Sequence, residues 1–392
     1  MIEFNKNFSP EYGKVTTVSP LIRRLVAHNP SPFTFYGTGT YIVGKEGGEA
    51  HLAQRTPSLS YGKAKNPKNT PPSKIIGGGA NHGSGGAQVA QRTPSLSYGK
   101  AENPKNTPPS KIKGGGANHG SGGAQVAQRA VDPPSKIKRE AKPKVALIDP
   151  GPAMTSHIHG LEKFLETVTV SHILVTHNHV DHSPAAHPLK IITGAEIYAF
   201  DTGKQADIDN HAEEGRDQNF KPDHILRDGD VIEGDGWTLD VLHTPGHLSN
   251  HICFGLREEK ALFTGDHVMG WSTSVVSQPD GDMGDYITSL EKLLDRDDEI
   301  YYPTHGAPIE NPKPYVKSLI AHRRAREKQI MEAIEAGALT IPQMVSAIYS
   351  DIPSYLHPAA ASSVLSHLIH MIEKGQITCE GDRGQSGVFT VL

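Results

Sequence analysis

The sequence predicts an α/β body followed by a small helical module, and three observations carry that expectation. Short apolar runs of strand character recur along the chain, each ending in a turn that carries polar residues. From Pro314 the apolar spacing changes to that of helices. Between two of the strands lies a tandem repeat without any packing pattern.

A length of 392 residues leaves room for two ordinary domains and an addition, while 40 Gly, 29 Pro and a 36% hydrophobic fraction indicate that part of the chain does not pack. The two cysteines, Cys253 and Cys379, exclude a disulfide framework and a Cys-based metal cluster and fit a reducing compartment. The opening MIEFNKNFSP lacks a basic segment followed by an apolar one, and nowhere do 18 apolar residues run together. The expectation is a cytoplasmic protein that makes no use of a membrane.

The first strand of note is TYIVG (Thr40 to Gly44), and KVALIDPG (Lys144 to Gly151) reads as the next, buried one. Between them, Gln54 to Ala90 recur as Gln91 to Ala127, a 37-residue period in which only Lys65/Glu102 and Ile76/Lys113 differ. A shortened third copy begins at Gln128. The repeat holds Gly, Pro, Ser, Asn and Lys without the apolar spacing that lets repeats bury a shared face, so it cannot offset its ordering entropy. Residues 45–142 are therefore expected to be a disordered low-complexity insertion at a hairpin tip, a position that tolerates additions because closure entropy grows only logarithmically. Residues 46–141 carry 14 Lys plus Arg against 5 Asp plus Glu, a net of +9. The whole chain is −4, which leaves −13 for the remainder. A body so acidic is a poor nonspecific binder of polyanions.

The next strand, HILV (His172 to Val175), runs into Thr176-His177-Asn178-His179-Val180-Asp181-His182. Three histidines and an aspartate within six residues at a strand end place several ligands at one sheet edge. His177 and His179 can reach one metal while Asp181 and His182 turn toward a second; imidazole with carboxylate suits zinc and needs no thiolate. Further strands end in the same manner: WTLDVL before HTPGH (His243 to His247), EKALF before FTGD (to Asp266), and EIYY before PTHG (His305). Ligands that converge from several strand ends build a rigid, open site.

These motifs, in this order, resemble those of the metallo-β-lactamase superfamily, whose fold is an αββα sandwich. The resemblance covers Ile22 to Gly44 and Lys144 to His305. It implies that His177, His179 and His247 hold a first zinc, that Asp181, His182 and His305 hold a second, and that Asp266 bridges the two. Asp181 and Asp266 are thus the candidate catalytic carboxylates, and Asp149 of LIDPG would orient the ligand loop from behind. VAHNPSPFTFYGTGTYIVG, GDHVMGWSTSVV and the tail after His305 are similar to the β-lactamase-like protein 2 subgroup, in which a winged helix follows the sandwich. The long insertion departs from that subgroup.

Two zinc ions sharing a hydroxide would attack a carbonyl or phosphoryl group without a covalent intermediate. The ligand types leave iron and manganese open. The favoured reading is a di-zinc hydrolase of a small thioester or ester, similar to glyoxalase II. The alternative implied by the subgroup is a single-stranded RNA endonuclease, and a mono-iron persulfide dioxygenase ranks below both. RNA would want a basic groove with stacking aromatics, whereas this body is acidic and aromatics make up 6% of the chain. His243, His267 and His251 neighbour the ligand positions; His251 could face the cleft. A homodimer is compatible with the resemblance.

The chain after Pro314 opens with YVKSLIAHRRAREKQIMEAIEAG, a helix. A second starts after Thr340 with an early Pro, a third spans about His357 to Lys374, and ITCE and GVFTVL read as two strands. Three helices and a hairpin make a winged helix. The domains expected are 1–44 with 143–313, and 314–392. The third helix offers little basic surface, so sequence-specific DNA binding is not expected. Arg323, with Arg324 and Arg326, and Tyr286 near the bridging aspartate are the candidate substrate contacts.

Overall fold

The computed structural model describes residues 2–45, 141–201, 215–384 and 386–392. The insertion expected at 45–142 therefore lies outside the described residues except for its ends. Seven strands form a first sheet in chain order: β1 (Thr16–Thr17), β2 (Ile22–Val26), β3 (Gly39–Val43), β4 (Lys144–Ile148), β5 (Thr169–Val175), β6 (Glu196–Phe200) and β7 (His224–Leu226). The strands flanking the insertion are antiparallel neighbours, Tyr41 opposite Ile148 and Val43 opposite Ala146. From β4 to β7 the pairing is parallel, with α1 (Thr155–Leu165) supplying the crossover from β4 to β5 and α2 (Ala186–Thr193) that from β5 to β6.

The second sheet contains β8 (Val231–Glu233), β9 (Thr238–His243), β10 (Ile252–Leu256), β11 (Ala261–Gly265), β12 (Ile300–Pro303) and β13 (Ile309–Glu310). Its one parallel pair, β11 with β12, is connected through α3 (Met283–Leu294). Residue alternation along the strands sorts side chains into layers. In β3 and β4, Tyr41, Val43, Ala146 and Ile148 enter the core between the sheets, where they meet Trp237, Leu239, Val241, Phe254 and Phe263. The intervening Ile42, Val145 and Leu147 face the opposite side, against Leu161 and Leu165 of α1 and Leu189 of α2. On the far face of the second sheet, Cys253, Leu262 and Tyr301 pack on Tyr286, Leu290 and Leu293 of α3. The result is the αββα sandwich. Burial of one such Leu or Phe contributes about 1.5–3 kcal/mol.

Helix α4 (Pro312–Glu335) serves two cores. Its first half sends Val316, Leu319 and Ile320 into the outer layer of the sandwich. Its second half sends Ile330, Ala333 and Ile334 into a separate cluster with α5 (Ile341–Ile348), α6 (His357–Glu373) and the hairpin β14 (Ile377–Glu380) and β15 (Val388–Val391). This is the winged helix. Its α5 begins with a capping box, in which Gln343 accepts from the Thr340 backbone N–H at 3.0 Å. Among the described residues no helix is long and apolar enough to cross a membrane.

Candidate metal centre

Every ligand candidate stands just beyond a buried strand end. β5 delivers His177 to His182, β9 leads to His247, β11 to Asp266 and β12 to His305. All seven side chains are buried, and their ligand atoms converge. In the first group, His179 Nδ1 lies 2.9 Å from His177 Nε2 and 3.1 Å from His247 Nε2. In the second, Asp181 Oδ2 lies 3.1 Å from His305 Nε2 and 3.4 Å from His182 Nε2. Asp266 Oδ2 stands 3.5 Å from His182 Nε2 and 3.4 Å from His305 Nε2, and a third combination, His177, His182 and Asp266, joins the two groups.

Partners behind the rings decide which nitrogen faces inward. His247 Nδ1 donates to the Val275 carbonyl at 2.6 Å, and His305 Nδ1 donates to the Gly37 carbonyl at 3.2 Å. His182 Nδ1 donates to Asp149 at 2.9 Å. Each leaves Nε2 for a ligand. Asp149 also accepts from the Thr176 backbone N–H at 2.8 Å and from the Thr176 and Thr304 hydroxyls at 2.9 and 2.8 Å. It takes a left-handed backbone (φ 49) to do so, which aspartate tolerates better than most residues.

The glycine of FTGD has a steric reason. A Cβ at Gly265 would come within 2.5 Å of His251 Nε2 and 2.9 Å of Thr176 Oγ1, so only glycine lets β11 reach the ligand loop. His251 packs directly against the cluster without joining its ligand groups. It accepts from the Asp266 backbone N–H at 3.2 Å and pairs with the Thr244 hydroxyl at 2.9 Å, its ring 5.0 Å from that of His177.

Electrostatics divides the seven groups. Burial, reinforced by neighbouring imidazoles, holds His177 and His179 well below the ordinary histidine range, and burial lowers His247 as well. Neutral imidazole is the form with a free lone pair. Burial opposes charge on His182 and His305 too, but the carboxylates of Asp181 and Asp266 outweigh it, so His182 is raised well above its usual range and His305 to about 10. Against the same burial, these imidazoles hold Asp181 and Asp266 below the ordinary carboxylate range. Asp181 Oδ1 and Asp266 Oδ1 are buried without a hydrogen-bond partner. Buried polar atoms left unpaired are costly, and a divalent cation satisfies this donor set.

Two expected substrate contacts require correction. Arg323 is buried, donating to the Ser274 carbonyl at 2.6 Å with its guanidinium 4.9 Å from the Tyr286 ring. Tyr286 is itself fully buried, its hydroxyl donating to the His267 carbonyl at 3.1 Å. Both brace the segment after Asp266, because the Ser274 hydroxyl in turn donates to the carbonyls of Asp266 and His267. Arg324 pairs with Glu291 and Arg326 lies over the Tyr349 ring, so the three arginines form no common patch. His243 stacks on Phe200 at 4.0 Å, away from the ligands, and His267 packs at 4.9 Å from the Tyr286 ring. Sequence reasoning overlooked Thr176 and Thr304. The signal was present, since each directly precedes a ligand histidine.

Comparison with known proteins agrees with this geometry. The sequence profile of the metallo-beta-lactamase superfamily matches residues 141–305, and that of the beta-lactamase associated winged helix domain matches residues 340–385. The chain is 33% identical over 261 residues to lactamase-like protein adaB of Aspergillus niger, covering 62% of this chain and 77% of that protein. It is 30% identical to a beta-lactamase-like protein 2 homolog of Caenorhabditis elegans, covering 60% and 77%. It is also 34% identical to the atrochrysone carboxyl ACP thioesterase AgnL7 of Paecilomyces divaricatus, covering 47% and 55%. The crystal structure of a beta-lactamase domain protein from Burkholderia ambifaria shares the fold with a TM-score of 0.63 at 15% identity, over 98% of this chain and 96% of that one. With its buried His/Asp clusters for a divalent metal and its winged helix, the chain belongs to the metallo-beta-lactamase superfamily and is a metal-dependent hydrolase of that family.

Proposed function

We propose that the protein hydrolyses a small thioester or ester with two zinc ions. The observation that carries this reading is the convergence of His177, His179 and His247 beside Asp181, His182 and His305, with Asp266 between them. The first three would hold one ion, the second three the other, and Asp266 would reach both. When bound, two such ions supply a hydroxide nucleophile near neutral pH and polarise the carbonyl under attack.

The chain's own contribution is orientation. The Val275 and Gly37 carbonyls and the Asp149 carboxylate hold the rings with Nε2 inward. Two side chains near the cluster are poor nucleophiles: burial pushes the Cys253 thiol up to about 12, and the Ser274 hydroxyl is committed to backbone carbonyls. The RNA reading loses support because Arg323 is buried and Arg324 and Arg326 are engaged elsewhere. The relative named as an acyl-carrier thioesterase supports the acyl reading.

The test is hydrolysis of a panel of acyl thioesters and esters by protein reloaded with zinc, manganese or iron, run beside Asp266→Ala and with labelled single-stranded RNA as a parallel substrate. The expected result is zinc-supported thioester or ester turnover that disappears in Asp266→Ala. RNA cleavage without acyl turnover would overturn the reading.

A further inference from the structure

We propose that Phe35 and Trp271 form an aromatic wall beside the metal centre that selects acyl groups carrying a planar aromatic ring. This rests on the thioester or ester reading above. The two rings are stacked, centroids 4.7 Å apart with 8° between planes, although 236 residues of sequence separate them.

Both are tied to His305. Phe35 lies two residues before Gly37, whose carbonyl receives His305 Nδ1. Trp271 lies against Gly306, where a Cβ would come within 2.9 Å of the indole Cδ1. The glycine of PTHG is thus what admits an indole next to a metal ligand. Both residues are half-buried, so the pair is not ordinary core. Phe35 takes a left-handed backbone (φ 57), which a bulky L-residue rarely adopts. The ring of Tyr36 abuts it edge-on at 4.3 Å, and the Tyr12 hydroxyl pins the Tyr36 carbonyl at 2.7 Å. Backbone strain of this kind persists where the surroundings enforce it, and it clusters at ligand sites.

Exposed apolar side chains stand next to other ligands and to Phe35 as well. Val180, between His179 and Asp181, is 44% exposed; Val275, whose carbonyl holds His247, is 37% exposed; Tyr36 is 41% exposed. Two cations near the ligand loops are committed. Arg24 is buried and donates to the Thr304 and Gly306 carbonyls, and Arg216 is ion-paired with Asp280. The rim therefore offers stacking and apolar contact rather than charge, which suits a flat aromatic acyl group better than a phosphate backbone.

The experiment compares kcat/KM for naphthoyl, benzoyl and acetyl thioesters of one thiol in wild type, Trp271→Ala, Trp271→Phe and Phe35→Leu, with metal content measured on each. Wild type should prefer the aryl substrates by about 10- to 100-fold, and Trp271→Ala and Phe35→Leu should collapse that aryl-to-acetyl ratio while metal content holds. Trp271→Phe should keep most of the ratio. No aryl preference in wild type, or equal losses on all substrates, would overturn the wall and leave the acyl reading standing. If no thioester is hydrolysed, the acyl reading fails, and the wall is read by fluorescence. A non-hydrolysable naphthyl thioether should quench Trp271, with the signal absent in Trp271→Phe, where the buried Trp237 remains. No quench, or quench by single-stranded RNA alone, would overturn the proposal.

Discussion

Asp149 Oδ2 accepts from His182 Nδ1 at 2.9 Å while accepting the Thr176 and Thr304 hydroxyls at 2.9 and 2.8 Å. One carboxylate oxygen thereby ties the loops after β4, β5 and β12 together beneath the metal centre. Asp149→Asn can donate as well as accept and cannot serve three donors in the same way. It should weaken metal binding by about 10- to 100-fold, measured by competition with a chromophoric chelator. Wild-type affinity in this variant would show that the rings are oriented without it.

The Arg216–Asp280 ion pair links the two loops that carry the three-histidine group. Arg216 bridges His179 through the backbone, and Asp280 accepts the Ser249 N–H at 2.9 Å, two residues beyond His247. Arg216→Ala and Asp280→Ala should each cost about 1–3 kcal/mol of stability. Both should also lower metal occupancy. The reversed pair, Arg216→Asp with Asp280→Arg, should recover part of the loss in thermal unfolding and metal analysis. Additive losses without recovery would argue that the two residues act independently.

His157 gives the fold a pH dependence away from the ligands. Burial lowers its pKa to about 4 against a partial opposing effect of the Pro150 carbonyl, and its ring contacts the Thr40 hydroxyl at 2.9 Å and that carbonyl at 3.0 Å. The unfolded chain takes up this proton near pH 6.5 and the folded one only near 4, so the contribution to stability is full above 6.5, falls as pH falls to about 4, and is level below that. The total is about 3 kcal/mol. Denaturant melts from pH 8 to 4 should show that slope, flattened in His157→Gln. Equal slopes in both proteins would sink the assignment.

Removing residues 46–140 and closing β3 to β4 with a short turn should preserve fold, metal content and activity, because these strands are already antiparallel neighbours. A soluble deletion protein that binds no metal would show that the insertion contributes to the site.

The strands, the order of the motifs and the winged helix were legible in the sequence because each is encoded locally. A short apolar run ending in a polar turn announces a strand that delivers a ligand, as HILV does before His177, and Thr340 with Gln343 announces a helix start. The strand boundaries moved by only a residue or two: TYIVG became Gly39–Val43 and WTLDVL became Thr238–His243.

What the sequence by itself determined was the set of side chains able to bind metal and the strand ends that present them. Tertiary structure decided how they are held and what surrounds them. Arg323 was expected at substrate and instead lies buried on the Ser274 carbonyl, because a helix facing solvent in sequence pattern alone is packed here against α3. The carbonyls of Gly37 and Val275 hold His305 and His247, yet a backbone carbonyl has no sequence signature. Phe35 meets Trp271 only because two sheets and the segment after β11 come together around a glycine. Contacts of this kind join residues far apart in the chain, and their energy exists only once the core has fixed both partners in place.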